Sequence, residues 1–443
     1  MRNLIVHART PEEAKRLLSR IALRGKDSEA EDVRTRVSEI IASVRAGGDE
    51  SILYWARTLD GFSGNASGLE IGRSVAKTAW ESLSSELREA LTFAANRIDR
   101  YHRTIRQSIQ DMPPTSGMAG FRWTPIDRVG IYVPGGTATY PSTVLMTATV
   151  ARVSGVREIF VMTPSGPQGV SPVVLGACHL TGVDRIFSVG GVHGVAAMAL
   201  GTGSVPAVDQ IVGPGNRYVA EAKRQLFGTI AIDMIAGPTE VVIVADGSAN
   251  PDWIAADLIA QAEHDTQASA ILITDSADLA ESVQKKLIEQ IFDLPRRTIA
   301  EKSLEDFGAI LVLPSISESA GIVDWLAPEH LEIDLWNAWE YSKKIRNAGA
   351  IFIGGMIPEA SGDYCYGPSH VLPTNGSARF ASPISVETFM KRTSLLGYPG
   401  LPERQPDPDA EKILEVSEIL ARAEGLEGHA RSAGLRRLKK VGP

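Results

Sequence analysis

From Val129 onward, short runs of β-branched and aromatic residues alternate with helical patterns of roughly nine to twelve residues, and no other feature narrows the choice of fold as much. Strand candidates fall at 129–133, 158–162, 185–189 and 210–212, at a longer run, 230–245, and at 270–274, 309–313 and 350–353. Helical stretches at 143–151, 192–200, 217–227 and 253–264 separate them. Alternation of this kind builds parallel strand–helix–strand units with helices on both sheet faces. The expected fold class is therefore α/β, with two Rossmann-like domains whose sheets are rich in parallel strands.

The flanks have a different texture. Residues 31–46 place Val33, Val37, Ile40, Ile41 and Val44 at helical spacing, and Gly47-Gly48 is expected to end that helix. A second long amphipathic pattern runs from Lys77 to about Gln107, and the polar, Pro-rich link 111–117 follows it. Residues 399–408 form a Pro-rich hinge ahead of a helical tail, 409–440, with basic residues at its end.

With 443 residues the chain has room for two to four domains of roughly 150 residues each. Its 44% hydrophobic and 22% charged residues exclude a disordered chain, a collagen and a coiled coil. A net charge of -8 argues against nucleic acid or an anionic membrane as the main partner. No apolar run approaches the roughly 20 residues a membrane span needs, and the N-terminus has no signal-peptide core. Two cysteines, Cys178 and Cys365, imply no disulfide framework and fit a reducing compartment. A cytoplasmic enzyme is expected.

Three strand-to-helix junctions carry glycines: Pro134-Gly135-Gly136, Gly190-Gly191-Val192-His193-Gly194 and Gly213-Pro214-Gly215-Asn216. Glycine at such a turn lets the backbone approach a phosphate, and the helix that follows favours an anion. None completes a G-x-G-x-x-G or P-loop pattern. Each fits a plain turn as well as a ligand site, and their clustering along one run of strands favours the ligand.

Polar candidates concentrate in the second half. Gln261 and His264, three apart, share one face of a helix that starts at Asn250-Pro251. Glu329 and His330 offer adjacent carboxylate and imidazole for proton transfer and are expected on a loop. Asp363 and His370 lie on an irregular stretch, and glycines interrupt the C-terminal tail between Glu424 and His429. On residue types alone this is a candidate metal or acid–base site, with zinc the usual ion for such donors.

These blocks resemble the histidinol dehydrogenase family over nearly the full length. The most specific run is Ile232-Asp233-Met234-Ile235-Ala236-Gly237-Pro238-Thr239-Glu240, continuing to Gln261-Ala262-Glu263-His264. Residues 129–146, 213–216, 328–331, 362–364, 370–374, 390–394 and 424–429 support it. The resemblance implies NAD-dependent four-electron oxidation of L-histidinol, through L-histidinal, to L-histidine, the last step of histidine biosynthesis. It implies one zinc ion per subunit, held by Gln261, His264, Asp363 and His429, with the last ligand coming from the partner in an intertwined homodimer. Glu329 and His330 fall on the acid–base pair. Thr239, Gln261, His264, His330, Asp363, His370, Glu424 and His429 fall on substrate positions, and Tyr132, His193 and Asn216 on NAD positions. The domains expected from it are an N-terminal helical segment, 1–24; a discontinuous zinc and substrate domain, 25–125 with 239–385; an NAD-binding Rossmann-like domain, 126–238; and a dimerisation tail, 386–443.

Two positions depart from the family pattern. Thr239 stands where serine is usual, and His193 where a cofactor-bonding glutamine is usual. Both leave open a paralogue acting on another small polar alcohol such as sulfopropanediol, whereas His370, Glu424 and the 328–331 run favour histidinol. A zinc hydrolase or a silent binding protein would have no need of the glycine-turn half. Cys365, two residues from Asp363, reads as incidental and Cys178 as helix core.

Overall fold

The computed structural model describes residues 2–24, 30–113, 119–135, 139–166, 169–397 and 409–437. The Pro-rich hinge 399–408 and Gly136 lie outside them. The chain divides into a large unit, residues 1–106 and 125–389, and a small one, residues 107–124 and 390–443.

Two six-stranded sheets form the large unit, in keeping with the α/β expectation. The first sheet runs, in spatial order, Ile5–His7, Gly308–Val312, Ser269–Thr274, Glu240–Ala245, His330–Asp334 and Ala350–Ile353, all parallel. The second runs Glu70–Ile71, Arg185–Ser188, Glu158–Thr163, Arg128–Tyr132, Gln210–Val212 and Ala231–Ile232, parallel except at its first pair. Central strands such as Glu240–Ala245 and Ser269–Thr274 are buried along their whole length, because helices cover both faces. Their side chains feed two apolar clusters, one on each face of the first sheet.

Several expectations change. The run 230–245 is two strands in different sheets, Ala231–Ile232 and Glu240–Ala245, joined by the signature residues between them. Gly47-Gly48 does not end its helix. Gly48 leaves helical geometry (φ 53°, ψ -127°), a conformation open to glycine, and the chain resumes as helix to Leu59. The pattern from Lys77 to Gln107 belongs to two helices, Arg73–Ser82 and Ser85–Ser108. The N-terminal segment contributes an edge strand, Ile5–His7, as well as a helix, Pro11–Ala22. Residues 25–125 do not group wholly with the first sheet: Glu70–Ile71 joins the second, and Val33, Val37, Ile40 and Ile52 pack in the second sheet's core.

A buried ion pair fastens the connection between the sheets. Lys223 Nζ donates to the Asp233 carboxylate and to the Gly213 carbonyl (3.0 Å), while Asp233 accepts from the Gly213 amide (2.7 Å). Both side chains are at most 2% exposed. The small unit pairs Ala119–Pro125 with Met390–Leu396 and carries two helices, Ala410–Ala423 and Glu427–Gly434. No described helix is long and apolar enough to cross a membrane.

Removing one partner of a buried pair strands the other's charge. Lys223→Met should therefore lower the unfolding free energy by about 3–5 kcal/mol in denaturant titration. A loss below about 1 kcal/mol, the scale of an exposed pair, would contradict this role for the ion pair.

Candidate active site

The polar residues gather at the amino-terminal edge of the first sheet. Glu240 opens one central strand and His330 the neighbouring one, with His330 in register with Val241. The loop expected for Glu329 and His330 is thus corrected: the pair straddles the start of a strand. Ahead of it, the helix Ser319–Leu326 stops at Ala327 in the left-handed region (φ 50°, ψ 62°), a strained choice for a residue with a Cβ. On the far side, a Cβ on Gly349 would meet the Glu329 carbonyl at 2.6 Å, so only glycine fits there.

The helix Pro251–Ala262 starts with Asn250 capping the Asp252 amide and Pro251 at its first position. It delivers Gln261, which is fully buried, while His264 lies two residues past its end at an exposed position. The His264 amide donates to the Gln261 carbonyl (3.3 Å), which keeps the two side chains one turn apart. Asp363 comes from a short helix, Glu359–Tyr364, where an irregular stretch was expected. The same helix brings Glu359, a residue that sequence reasoning missed. Its signal was the four-residue spacing to Asp363, which puts both acids on one helical face.

His264, Glu359 and Asp363 each offer a ligand atom within 4.8 Å of the others. One terminal atom of the Gln261 carboxamide lies 2.6 and 3.0 Å from the two Glu359 oxygens; the other faces Thr239 Oγ1 (2.6 Å) and the Glu240 amide (3.1 Å). Turned with its NH2 toward Glu359, the amide donates to that carboxylate, and its oxygen shares the Thr239 hydroxyl and Glu240 amide protons with Glu329 Oε2. Turned the other way, the Gln261, Glu359 and Asp363 oxygens and a His264 nitrogen form the set of donors a hard or borderline cation takes.

His330 Nδ1 lies 3.1 Å from the Glu240 carbonyl, which can only accept, so this nitrogen carries a proton. Nε2 is buried without a hydrogen-bond partner among the described residues, 3.7 Å from Asp363 Oδ1. Burial pulls the imidazolium down, but the carboxylates of Glu359 (3.5 Å) and Glu329 (3.7 Å) overcome it and push His330 well above its usual range. Glu329 Oε2 accepts from Thr239 Oγ1 (2.5 Å) and the Glu240 amide (3.0 Å). Burial raises its carboxyl to about 7 against these contacts and the His330 charge. Glu240 is buried too, but Arg24 meets it at 3.3 Å. His370 donates from Nδ1 to the Asp363 carbonyl (3.0 Å). Beneath this layer lie two more acids raised by burial, Glu332 and Asp257, the latter to about 6.

The second sheet holds the other group. Tyr132 ends a strand and its hydroxyl accepts from the Gly191 amide (3.1 Å). His193 is completely buried, and its Nε2 meets Asp60 Oδ2 at 3.1 Å while Nδ1 has no partner among the described residues. Asp60, also missed in the sequence, accepts from the Gly190 amide (2.8 Å) as well. Asn216 caps the helix Arg217–Leu226. The three glycine turns follow strands ending at Tyr132, Ser188 and Val212, and the first and last of these strands flank the point where strand order reverses. In the small unit, Glu424 and His429 line an open groove of about 410 Å³ between its two helices.

A family model described as histidinol dehydrogenase matches residues 23–437. The chain belongs to the histidinol dehydrogenase family. It is 42% identical over 426 residues to "Histidinol dehydrogenase" of Synechococcus sp., covering 96% of each chain. The protein of that name from Gluconobacter oxydans is 47% identical over 420 residues, covering 94% of this chain and 95% of its own. The crystal structure of histidinol dehydrogenase from Elizabethkingia anophelis superposes with a TM-score of 0.88 at 30% identity, covering 98% of both.

A carboxyl with the acidity of Glu329 can accept a proton only when ionised, so a step for which it serves as base should rise with pH through about 7. Thr239→Val removes a donor that favours the carboxylate and should move that limb to higher pH. An unmoved limb in the pH–rate profile would exclude Glu329 as its origin.

Proposed function

We propose that this chain oxidises L-histidinol through L-histidinal to L-histidine, passing a hydride to NAD at each of two steps. The observation that carries this reading is His330 Nε2, buried and without a partner among the described residues, beside the donors Gln261, His264, Glu359 and Asp363. Those donors suit zinc, with Gln261, His264 and Asp363 as ligands and His429 as the fourth. Zinc would supply a fixed positive charge at those residues, suited to a substrate that carries nitrogen donors. NAD would supply the hydride acceptor, with Tyr132, His193 and Asn216 as the residues that would hold it.

The chain's own groups do the rest. With Nδ1–H committed to the Glu240 carbonyl, His330 takes the alcohol proton at Nε2. Positive charge held at Asp363 opposes the acids that would otherwise keep this imidazole protonated. Glu329, poised near neutrality, takes a proton from the water that adds to the aldehyde. Thr239 and the Glu240 amide orient that carboxylate. His370, Glu424 and the metal ligands contact the substrate. The comparisons name histidinol dehydrogenase in each relative and do not favour another polar alcohol.

The domain roles follow: residues 126–238 bind NAD together with the part of 25–125 that packs on their sheet, 239–385 carry zinc and substrate, and 386–443 join the subunits. Support for a second copy of the chain comes from the small unit. Ile413, Ile419 and Leu420 on the helix Ala410–Ala423 are 47%, 56% and 58% exposed, next to the groove holding Glu424 and His429. An intertwined homodimer would cover that face and complete each site with the partner's Glu424 and His429. Two free cysteines fit a cytoplasmic setting.

Zinc-loaded protein should form two NADH per L-histidinol and none from sulfopropanediol. His330→Asn should slow the first oxidation by roughly 10²–10⁴-fold, whereas Glu329→Gln should chiefly stall the second. Absence of histidinol turnover in folded, zinc-loaded protein would refute the assignment. For the shared site, mixing inactive His264→Ala and His429→Ala proteins under subunit exchange should restore part of the activity. A mixture that stays inactive while heterodimers form would mean that each site is built from one chain.

A further inference from the structure

Arg24 stands two residues past the helix Pro11–Ala22, and its side chain turns back into the first sheet, where it is buried. Nε donates to the Gln267 carbonyl (3.0 Å) and Nη1 to the Ile21 carbonyl (2.9 Å). Nη2 lies against the carbonyls of Thr239 (3.2 Å) and Pro238 (3.4 Å) and against Glu240 Oε1 (3.3 Å). Glu240 Oε1 also accepts from the Asn375 amide (2.7 Å), so the counter-charge is itself fixed. An arginine that only capped Ile21 could stay in water, and burying its charge is costly. What it gains is a grip on the residues beside Glu329. The Thr239 carbonyl and the Glu240 N–H belong to one planar peptide unit. Arg24 and the Ser269 amide (3.0 Å) hold the oxygen end of that unit, and its N–H end donates to Glu329 Oε2 (3.0 Å). A cation on the carbonyl strengthens the N–H as a donor, because linked hydrogen bonds polarise one another. His330 takes its contact from the next peptide unit, through the Glu240 carbonyl (3.1 Å).

We propose that Arg24 is a positioning residue for Glu329: it fixes and polarises the Thr239–Glu240 peptide, whose N–H orients the Glu329 carboxylate. Arg24 acts through that peptide and not on substrate or cofactor. Its influence falls on the second oxidation, which Glu329 serves, and not on the first, which His330 serves. The inference rests on the reading of Glu329 as the base of the second step.

Arg24→Met should slow NADH formation from L-histidinal by roughly 10–100-fold, the scale of a misplaced catalytic group, and leave the first NADH from L-histidinol, read in single turnover, within about threefold of the parent. Zinc and NAD binding, read by calorimetry, should match the parent. Arg24→Lys keeps a cation at the Thr239 carbonyl without the planar fork and should recover most of the lost rate. Arg24→Met leaves the Glu240 charge buried alone, so Arg24→Met/Glu240→Gln stands in if the single variant does not fold. The double variant keeps an acceptor for the Asn375 amide and should show the same split between the two oxidations. A parental rate from L-histidinal in either variant would overturn the proposal. Equal loss in both oxidations would overturn it too, as the mark of a merely structural role, and so would a lysine variant as slow as the methionine one. Glu329→Gln with an unimpaired second step is a separate result: it would remove the base reading first, and the role of Arg24 with it.

Discussion

Buried negative charge is the constraint around which this site is organised. Glu240, Glu329, Glu332 and Glu359 are each no more than 7% exposed, and Asp363 stands beside them. Stripping an ion of water costs several kcal/mol even after the protein relaxes. Among the described residues only Glu240 has an arginine or lysine counter-charge, from Arg24, whose guanidinium is itself held by the carbonyls of Ile21, Gln267 and Thr239. The remaining acids are stabilised by backbone amides and by His330. That arrangement is expensive as architecture and makes sense as a receptacle for positive charge. Burial among these acids also accounts for the raised carboxyl of Glu329.

Much of the fold was legible from periodicity. Strands such as Glu158–Thr163 and Ser269–Thr274, buried on both faces, are near-continuous apolar runs, and their alternation with helices leaves little choice but parallel sheets. The strand His330–Asp334 escaped for the same physical reason that makes it important: His330, Glu332 and Asp334 break the apolar run on one face. The run from 230 to 245 looked continuous because a short strand and a long one flank a signature segment that is itself partly apolar. Gly47-Gly48 resembled a terminator, yet tertiary packing of Ile52 and Trp55 carries the helix on beyond the kink.

The site divides along a similar line. Residues that sit in specific local patterns, such as Gln261 with His264 and Glu329 with His330, can be singled out from the sequence. Glu359 had only its four-residue spacing to Asp363 to mark it, and Asp60 had no local mark, because it acts through a contact with a residue far along the chain. Asp60 reaches His193 across 133 positions, and no local pattern encodes that. The two sheets also use opposite edges. Tyr132 and the glycine turns lie at carboxyl ends, where ligands of open α/β sheets usually bind. Glu240 and His330 lie at amino ends, where the ligand helix, running antiparallel to the strands, brings its last turn.

The outermost strands of both sheets are short. The first sheet ends in Ile5–His7 and Ala350–Ile353, three and four residues, and the second in two-residue strands, Glu70–Ile71 and Ala231–Ile232. So few unpaired backbone groups give an incoming strand little to zip onto, which guards against edge-to-edge aggregation. Neither six-stranded sheet therefore offers a copy of this chain a long edge to extend. Specific, finite association between copies falls to helix faces or to the small unit's strand pair, Ala119–Pro125 with Met390–Leu396.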